Sequence, residues 1–508
     1  MNRRGPTRRA FLKAIGLGAA ALTSRATLRG EEAPAPARAG SARPNILFIM
    51  SDDHAAPAIS AYGDFLAAAA PTPNIDRIAT GGMLFGNCFV TNSICTPSRS
   101  AIFTGKYSHA NGVYKFTPLD QSQPTLPKLL RAAGYHTAII GKYHLHSNPV
   151  GFDYFSVLPG QGRYHEPQFV EMGDEHPGGR VSRGKRTAHK GHSSDVIAGK
   201  ALNYLRHVRP KDRPFALFCH FKAPHDTWQC ARRYDRYLAD VALPEPATLH
   251  DDYRTRSDAI RRTTQKIGQR HTSYVPKARQ PDERKRVSEC YQVYIRKYLR
   301  CVKGIDDNVG RILDHLRTSG LGRNTIVIYT ADQGFFLGEH GLYDKRFMYD
   351  EAMRMPLLVR WPGRVKPGSR NEDIVLNVDF APTLLQTAGA DPRGDMQGRS
   401  FLPLLTGRTP KDWRRSMYYR YYFSHFNTEP HYGVRTRTRK LICFHRLGQW
   451  EMYDLTRDPH EVRNLYGDPA RQEEVRRLKD ELARLQKELK DDVRDVGDRP
   501  RTGFEKVQ

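Results

Sequence analysis

The chain has 508 residues, of which 39% are hydrophobic, 27% charged and 10% aromatic. Those values exclude a peptide-sized module, a disordered chain and a collagen-like one, and predict one large catalytic-size domain with at least one smaller one. The formal charge is +27, and because residues 1–30 hold seven Lys/Arg and no acid, +20 remains on the rest, which directs attention to polyanions: nucleic acid, an anionic membrane surface, or a sulfated or phosphorylated glycan.

At the start, Thr7-Arg8-Arg9-Ala10-Phe11-Leu12-Lys13 precedes an apolar, small-residue stretch from Ala14 to Leu22. This is the layout of a twin-arginine export signal over residues 1–30. The stretch is far below the roughly 20 residues of a membrane-spanning helix, and no later segment qualifies, so no integral membrane span is expected. The expected location is periplasmic or secreted, with the twin-arginine translocase as a partner that moves proteins already folded. The seven cysteines (88, 95, 219, 230, 290, 301 and 443) are odd in number. At least one is unpaired, and a fold completed in a reducing cytosol does not depend on disulfides.

Residues 31–43, rich in Ala, Pro and Gly, read as a linker, and order begins at Pro44. Four short apolar runs then end in polar clusters. Asn45 to Met50 precedes Ser51-Asp52-Asp53-His54, Thr137 to Ile140 precedes Gly141-Lys142-Tyr143-His144, Phe215 to Phe221 precedes Lys222-Ala223-Pro224-His225, and Thr325 to Tyr329 precedes Thr330-Ala331-Asp332-Gln333-Gly334. Helical patterns lie between them, at Leu126 to Ala133 and Val196 to His207, which predicts βα units and an α/β fold: a large three-layer α/β/α domain over 44–405 with a mostly parallel mixed sheet. Ligands in such sheets bind beyond the carboxyl ends of the strands, so the four clusters are expected to converge. The Arg/Lys-rich segment from Asp251 to Lys303 reads as a helical insertion with a basic face. After Leu405, Met417 to Tyr422, Tyr432 to Phe444 and Trp450 to Leu455 predict a small C-terminal antiparallel sheet over 406–508, packed with an amphipathic helix whose Val475, Leu478, Leu482, Leu485 and Leu489 share a face.

The most informative stretch is Cys95-Thr96-Pro97-Ser98-Arg99, followed by Ser100-Ala101-Ile102-Phe103-Thr104-Gly105. Pro97 suits the first turn of a helix, placing Cys95 at its positive end with Arg99 one turn on, and both features favour an anion there, a thiolate or a bound oxyanion. These residues resemble the signature of the formylglycine-dependent sulfatases of the alkaline phosphatase superfamily, Cys/Ser-x-Pro-Ser-Arg-x4-Thr-Gly, at every fixed position. The resemblance extends from Pro44 to the C-terminal helix.

The resemblance implies an alkaline phosphatase-like fold and oxidation of Cys95 to formylglycine (3-oxoalanine) by a formylglycine-generating or anaerobic sulfatase-maturating enzyme. It further implies that the hydrated gem-diol attacks sulfur and that Asp52, Asp53, Asp332 and Gln333 hold a metal together with residue 95. Oxygen ligation favours a hard cation, and the resemblance makes it Ca²⁺ in preference to Mg²⁺. By the same comparison Lys142 and Lys345 bind sulfate, and His144 contacts the gem-diol hydroxyl and acts as base when sulfate is expelled. His225, or alternatively Lys345, protonates the departing alcohol, and Arg99 holds the nucleophile and carboxylates in register. Gln333 stands where many relatives have Asn, and Tyr143 where Trp is common.

Lys222-x-Pro224-His225-Asp226-Thr227-Trp228 and His431-Tyr432-Gly433-Val434-Arg435 resemble the polysaccharide-acting sulfatases. The expected substrate is therefore a sulfated carbohydrate, closest to N-acetylglucosamine-6-sulfate or a related polysaccharide, with His165, Trp228, His431 and Arg435 expected in loops that line the sugar pocket. The competing functions are a phosphodiesterase or phosphonate hydrolase of the same superfamily and a catalytically inactive sulfated-glycan-binding protein. No recognition-helix or aromatic-platform motif accompanies the basic residues, so no nucleic acid is expected.

Overall fold

A computed structural model of the chain describes residues 43–270 and 273–492. The expected export signal (residues 1–30) and all of the expected linker except Arg43 lie outside the described residues, as does the end of the chain. Ten strands form one mixed sheet: β1 (Asn45–Ser51), β2 (Met83–Phe85), β3 (His136–Lys142), β4 (Tyr154–Leu158), β5 (Gln168–Glu171), β6 (Thr187–Ala188), β7 (Phe215–Phe221), β8 (Thr325–Ala331), β9 (Leu357–Arg360) and β10 (Ser369–Asn371). Their order is β10-β2-β9-β8-β1-β7-β3-β4-β5-β6. The four apolar runs are the adjacent parallel strands β8, β1, β7 and β3 at the centre of the sheet. Nearly every residue of these strands is buried, because both faces of the sheet are covered.

The period of two assigns each side chain to a layer. Ile46, Phe48 and Met50 of β1 enter the core beneath α1 (Cys95–Thr104) and α2 (Leu126–Ala132), whereas Leu47 and Ile49 enter the core beneath α3 (Ser193–Asn203) and α4 (Glu283–Thr318). Sequence and structure agree on these three layers. They differ over the basic insertion. The described residues between 251 and 282 carry only short helical turns, and the helix that follows, α4, is 36 residues long and runs to Thr318. Its apolar face packs along the sheet through Tyr291, Tyr294, Tyr298, Ile305 and Ile312.

The C-terminal sheet has four antiparallel strands, β11 (Ser416–Tyr421), β12 (His431–Thr436), β13 (Arg439–Phe444) and β14 (Gln449–Asp454), in sequential order. The run from Tyr432 to Phe444 is thus a hairpin that turns at Arg437 and Thr438. Helix α5 (Gln472–Leu489) covers this sheet with Val475, Leu478, Leu482 and Leu485, and the apolar core is continuous with that beneath β1. All seven cysteines are free. Among the described residues no helix is long and apolar enough to cross a membrane.

Candidate active site

Residues just past the carboxyl ends of β1, β3, β7 and β8 meet the first turn of α1. The chain turns sharply there: Asp53 and His144 are left-handed, at φ 65° and 52°. Gly141, at φ 101°, brings β3 so close to β7 that a Cβ would lie 1.9 Å from the His220 carbonyl oxygen, so the residue before Lys142 has to be glycine.

Asp52, Asp53 and Asp332 each present a carboxylate oxygen within 4.8 Å of the others, and Asp52 makes a second such group with Cys95 and His225. Three buried cations surround them. Arg99 donates Nε to Asp332 at 2.9 Å and Nη1 to the Lys142 carbonyl at 2.6 Å, while its Nη2 lies 3.4 Å from Asp52. Lys142 pairs with Asp52, and Lys345 with Asp53, which also accepts from the Gln333 amide. Gln333 Nε2 stands 4.0 Å from Cys95 Sγ, and His225 Nε2 stands 3.8 Å from Asp53. Every catalytic and metal-ligating residue expected from sequence therefore falls in or beside one buried cluster. His144 joins it through its backbone, whose carbonyl accepts from Thr96 at 3.0 Å.

Buried oxygens without hydrogen-bond partners test whether a cation fits. Asp52 Oδ1 and Gln333 Oε1 are both of this kind, and an unsatisfied buried acceptor is costly. Burial pushes Asp53 up to about 6 and Asp332 up to about 7, with the charge on Asp52 adding to each shift. Asp52 is also penalised by burial, but the charges of Lys142 and Arg99 hold it well below the usual carboxylate range. An all-oxygen set of this density fits a hard divalent cation.

Cys95 corrects one of the two alternatives expected at its position, the thiolate, and leaves the bound oxyanion. Burial outweighs the attraction of Lys345 and pushes its thiol up to about 12, so it is not a thiolate. The charge of Arg99 is already matched by Asp332 and Asp52. Burial and Lys142 hold His144 and His225 well below the ordinary histidine value, leaving both rings neutral at pH 7. Burial alone would lower Lys345, but Asp53 and the other nearby acidic groups hold it well above its usual range, making it a fixed cation.

The model for the sulfatase family matches residues 44–390. The chain belongs to the sulfatase family. Residues 338–488 of this sulfatase also match the N-sulphoglucosamine sulphohydrolase C-terminal model. The sulfatase is 41% identical over 508 residues to an N-acetylglucosamine-6-O-sulfatase of Bacteroides thetaiotaomicron, an alignment that covers 90% of this chain and 88% of that protein. It superposes with TM-score 0.82 and 41% identity on a solved structure in complex with its substrate D-glucosamine-2-N,6-O-disulfate, covering 89% of this chain and 99% of that one. A phosphonate monoester hydrolase from Silicibacter pomeroyi shares the fold at TM-score 0.68 and 22% identity, covering 88% and 95%. The family and its relatives make this chain a sulfuric ester hydrolase on an alkaline phosphatase-like scaffold.

The four residues expected to hold sugar divide into two pairs. Exposed His165 and buried Trp228 line one cavity of about 480 Å³. His431 and Arg435 do not line it, which is a second correction. Both belong to β12, an inner strand, and not to a loop. His431 is fully buried, with ring contacts to Phe347, Tyr419 and Phe444 and its Nδ1 2.8 Å from the Glu429 carbonyl. Arg435 forks onto Asp350 at 2.8 and 2.6 Å and lies 4.1 Å over Phe89. Four residues apart on a strand, they share the face that packs inward.

Sequence reasoning also missed several neighbours of the cluster. Lys222 is buried, its Nζ 4.6 Å over the Tyr164 ring, and burial together with Lys142 lowers it to about 8. It stood inside a quoted motif and was the one discoverable member. Tyr298 donates its hydroxyl to the Asp53 carbonyl at 2.7 Å and accepts from the Ala55 amide at 2.9 Å, securing the left-handed turn. Nothing in the local sequence of α4 marks that tyrosine.

Proposed function

We propose that this sulfatase removes sulfate from a sulfated glycan, with 6-O-sulfated N-acetylglucosamine as the sugar that best fits, and that residue 95 acts as formylglycine. The observation that carries the reading is the convergence of Cys95, Arg99, Lys142, His225, Lys345 and the three aspartates at one edge of the sheet. The named relatives support the choice of sugar.

Asp52, Asp53, Asp332 and Gln333 would hold Ca²⁺, which supplies positive charge against the sulfate oxygens. Formylglycine supplies, as its hydrate, an oxygen nucleophile that a thiol lacks. Lys142 and Lys345 oppose the charge of the ester and fix its orientation, since an anionic substrate must approach a carboxylate-rich pocket. Arg99 holds Asp332 and Asp52 in place and, through Nη1, ties them to β3. Lys345 carries a proton in the resting site, whereas His225 is neutral, its Nδ1 2.7 Å from the Asp226 carbonyl and its Nε2 facing Asp53. These two are the partners for the departing oxygen. Neutral His144 is suited to accept a proton when sulfate is expelled.

Maturation by a formylglycine-forming enzyme and export through the twin-arginine translocase belong to the same proposal. The test is turnover of N-acetylglucosamine-6-sulfate beside phosphate mono- and diesters and phosphonates, with mass analysis of the peptide containing residue 95. Sulfate release from the sugar and formylglycine at position 95 are expected, together with loss of turnover in Cys95→Ala. A dominant phosphodiesterase or phosphonate activity would reverse the assignment, and glycan binding without turnover of any ester by the matured protein would make it an inactive binder.

A further inference from the structure

The segment that follows His225 leaves the carboxylate cluster and runs into the wall of the 480 Å³ cavity. Trp228, three residues on, is part of that wall, and its ring packs on Tyr294 of α4 with centroids 4.9 Å apart. Lys297 and Arg300, one turn apart on the same helix, line the cavity, as do Tyr274 and exposed His165.

Among the described residues the two half-buried cations, Lys297 and Arg300, have no acidic partner. Lys297 Nζ lies 4.3 Å over the Tyr274 ring, and Arg300 gives Nε to the Tyr237 carbonyl at 2.8 Å. Among the described residues neither makes an ion pair, although Lys303, one turn along, is paired to Asp307 at 2.6 Å. The single carboxylate in the lining, exposed Asp235, accepts from Cys230 Sγ at 3.4 Å. Adjacent like charges partly withdrawn from water repel one another and are stabilised by an arriving anion, most strongly where a guanidinium can donate two parallel bonds. Aromatic faces beside them suit a sugar ring.

We propose that this cavity is a subsite for an anionic group, carboxylate or sulfate, on the sugar neighbouring the one whose ester is cleaved. The inference rests on the sulfatase reading of the adjacent centre. It gives a specific place to part of the basic excess of the chain.

The test compares four probes: N-acetylglucosamine-6-sulfate alone, the same sugar linked to a uronic acid, to the carboxyl-reduced neutral hexose, and to that hexose bearing a sulfate. The wild-type enzyme is expected to favour at least one anionic disaccharide over the neutral one by about tenfold in kcat/KM, as for a charge-assisted contact. The preference should shrink as salt is raised. The Lys297→Gln/Arg300→Gln double variant should lose that preference and keep the monosaccharide rate, and the two anionic arms identify which group is bound. Equal kcat/KM for the anionic and neutral disaccharides in the wild type, or an equal loss on all four probes in the variant, overturns the subsite. Absence of turnover on every probe instead defeats the functional reading. In that event calorimetric binding of the anionic and neutral disaccharides to the Cys95→Ala protein still decides the subsite, equal affinity rejecting it.

Discussion

Arg99→Met removes one charge from the cluster while retaining an unbranched side chain. In the metal-free protein Asp52, Asp53 and Asp332 oppose Arg99, Lys142 and Lys345, so the fully ionised cluster is formally neutral and fully or nearly fully buried. The substitution leaves one negative charge uncompensated and removes one hydrogen bond from the Lys142 carbonyl, which also faces the His220 ring at 3.2 Å. Breaking a buried pair by removing one partner costs about 3–5 kcal/mol. With an unfolding entropy of about 1 kcal/mol/K for a chain of 508 residues, Tm should fall by about 3–5 °C. The measurement belongs at pH 8 in the presence of a chelator. At lower pH Asp332, already raised to about 7, takes up a proton and hides part of the loss. Saturating Ca²⁺ adds two positive charges to the same oxygens and should shrink the deficit, whereas turnover should stay at least about a hundredfold down because alignment is lost. Arg99→Lys restores the charge but cannot fork between two carboxylates, so it should recover stability and not rate. A Tm for Arg99→Met within about 1 °C of wild type in chelator would refute the reasoning, since no buried pair would then have been broken.

Gly141→Ala places a methyl 1.9 Å from the His220 carbonyl at φ 101°, so it should destabilise by about 3 kcal/mol or more and lower turnover, and denaturant unfolding with intact stability would show that β3 and β7 can separate. Lys222 is protonated below about 8 and loses its charge as pH rises through that value. The kcat/KM for a sulfate ester should therefore fall on the alkaline side. Lys222→Arg should abolish that limb, and a limb left unchanged assigns it to another group. Chelation should depress turnover reversibly, and it should make stability depend on pH. Asp53 and Asp332 bind protons in the folded state up to about 6 and about 7, whereas in the unfolded chain they release them near about 3.9. Folded-state protons are therefore lost between those limits, and the stability these two carboxylates contribute to the metal-free protein should decline as pH rises from about 4 to about 7; because buried neutral His144 and His225 titrate with the opposite sign, it is read as the pH profile of the Tm difference between wild type and Asp53→Asn/Asp332→Asn. A flat profile would mean that the carboxylates are ionised without a cation.

What the sequence alone determined was what neighbouring residues determine. The runs beginning at Asn45, Thr137, Phe215 and Thr325 are apolar apart from Asn45, Thr137, His220 and Thr325, which suits strands buried on both faces, and parallel strands carry their terminal clusters to a common edge. Asp52, Lys142, His225 and Asp332 were therefore legible, as was Cys95 from its own string. Tertiary structure decided matters that depend on competition between distant groups. The thiol of Cys95 stays protonated because burial outweighs cations already engaged by aspartates. His431 and Arg435 face inward because strand alternation puts both on the side of β12 that packs against Phe347, Asp350 and Phe89, and the local sequence does not reveal which side other elements will cover. Tyr298, Lys297 and Arg300 reached the site region only through the placement of a 36-residue helix, whose register against the sheet is set by packing along its whole length.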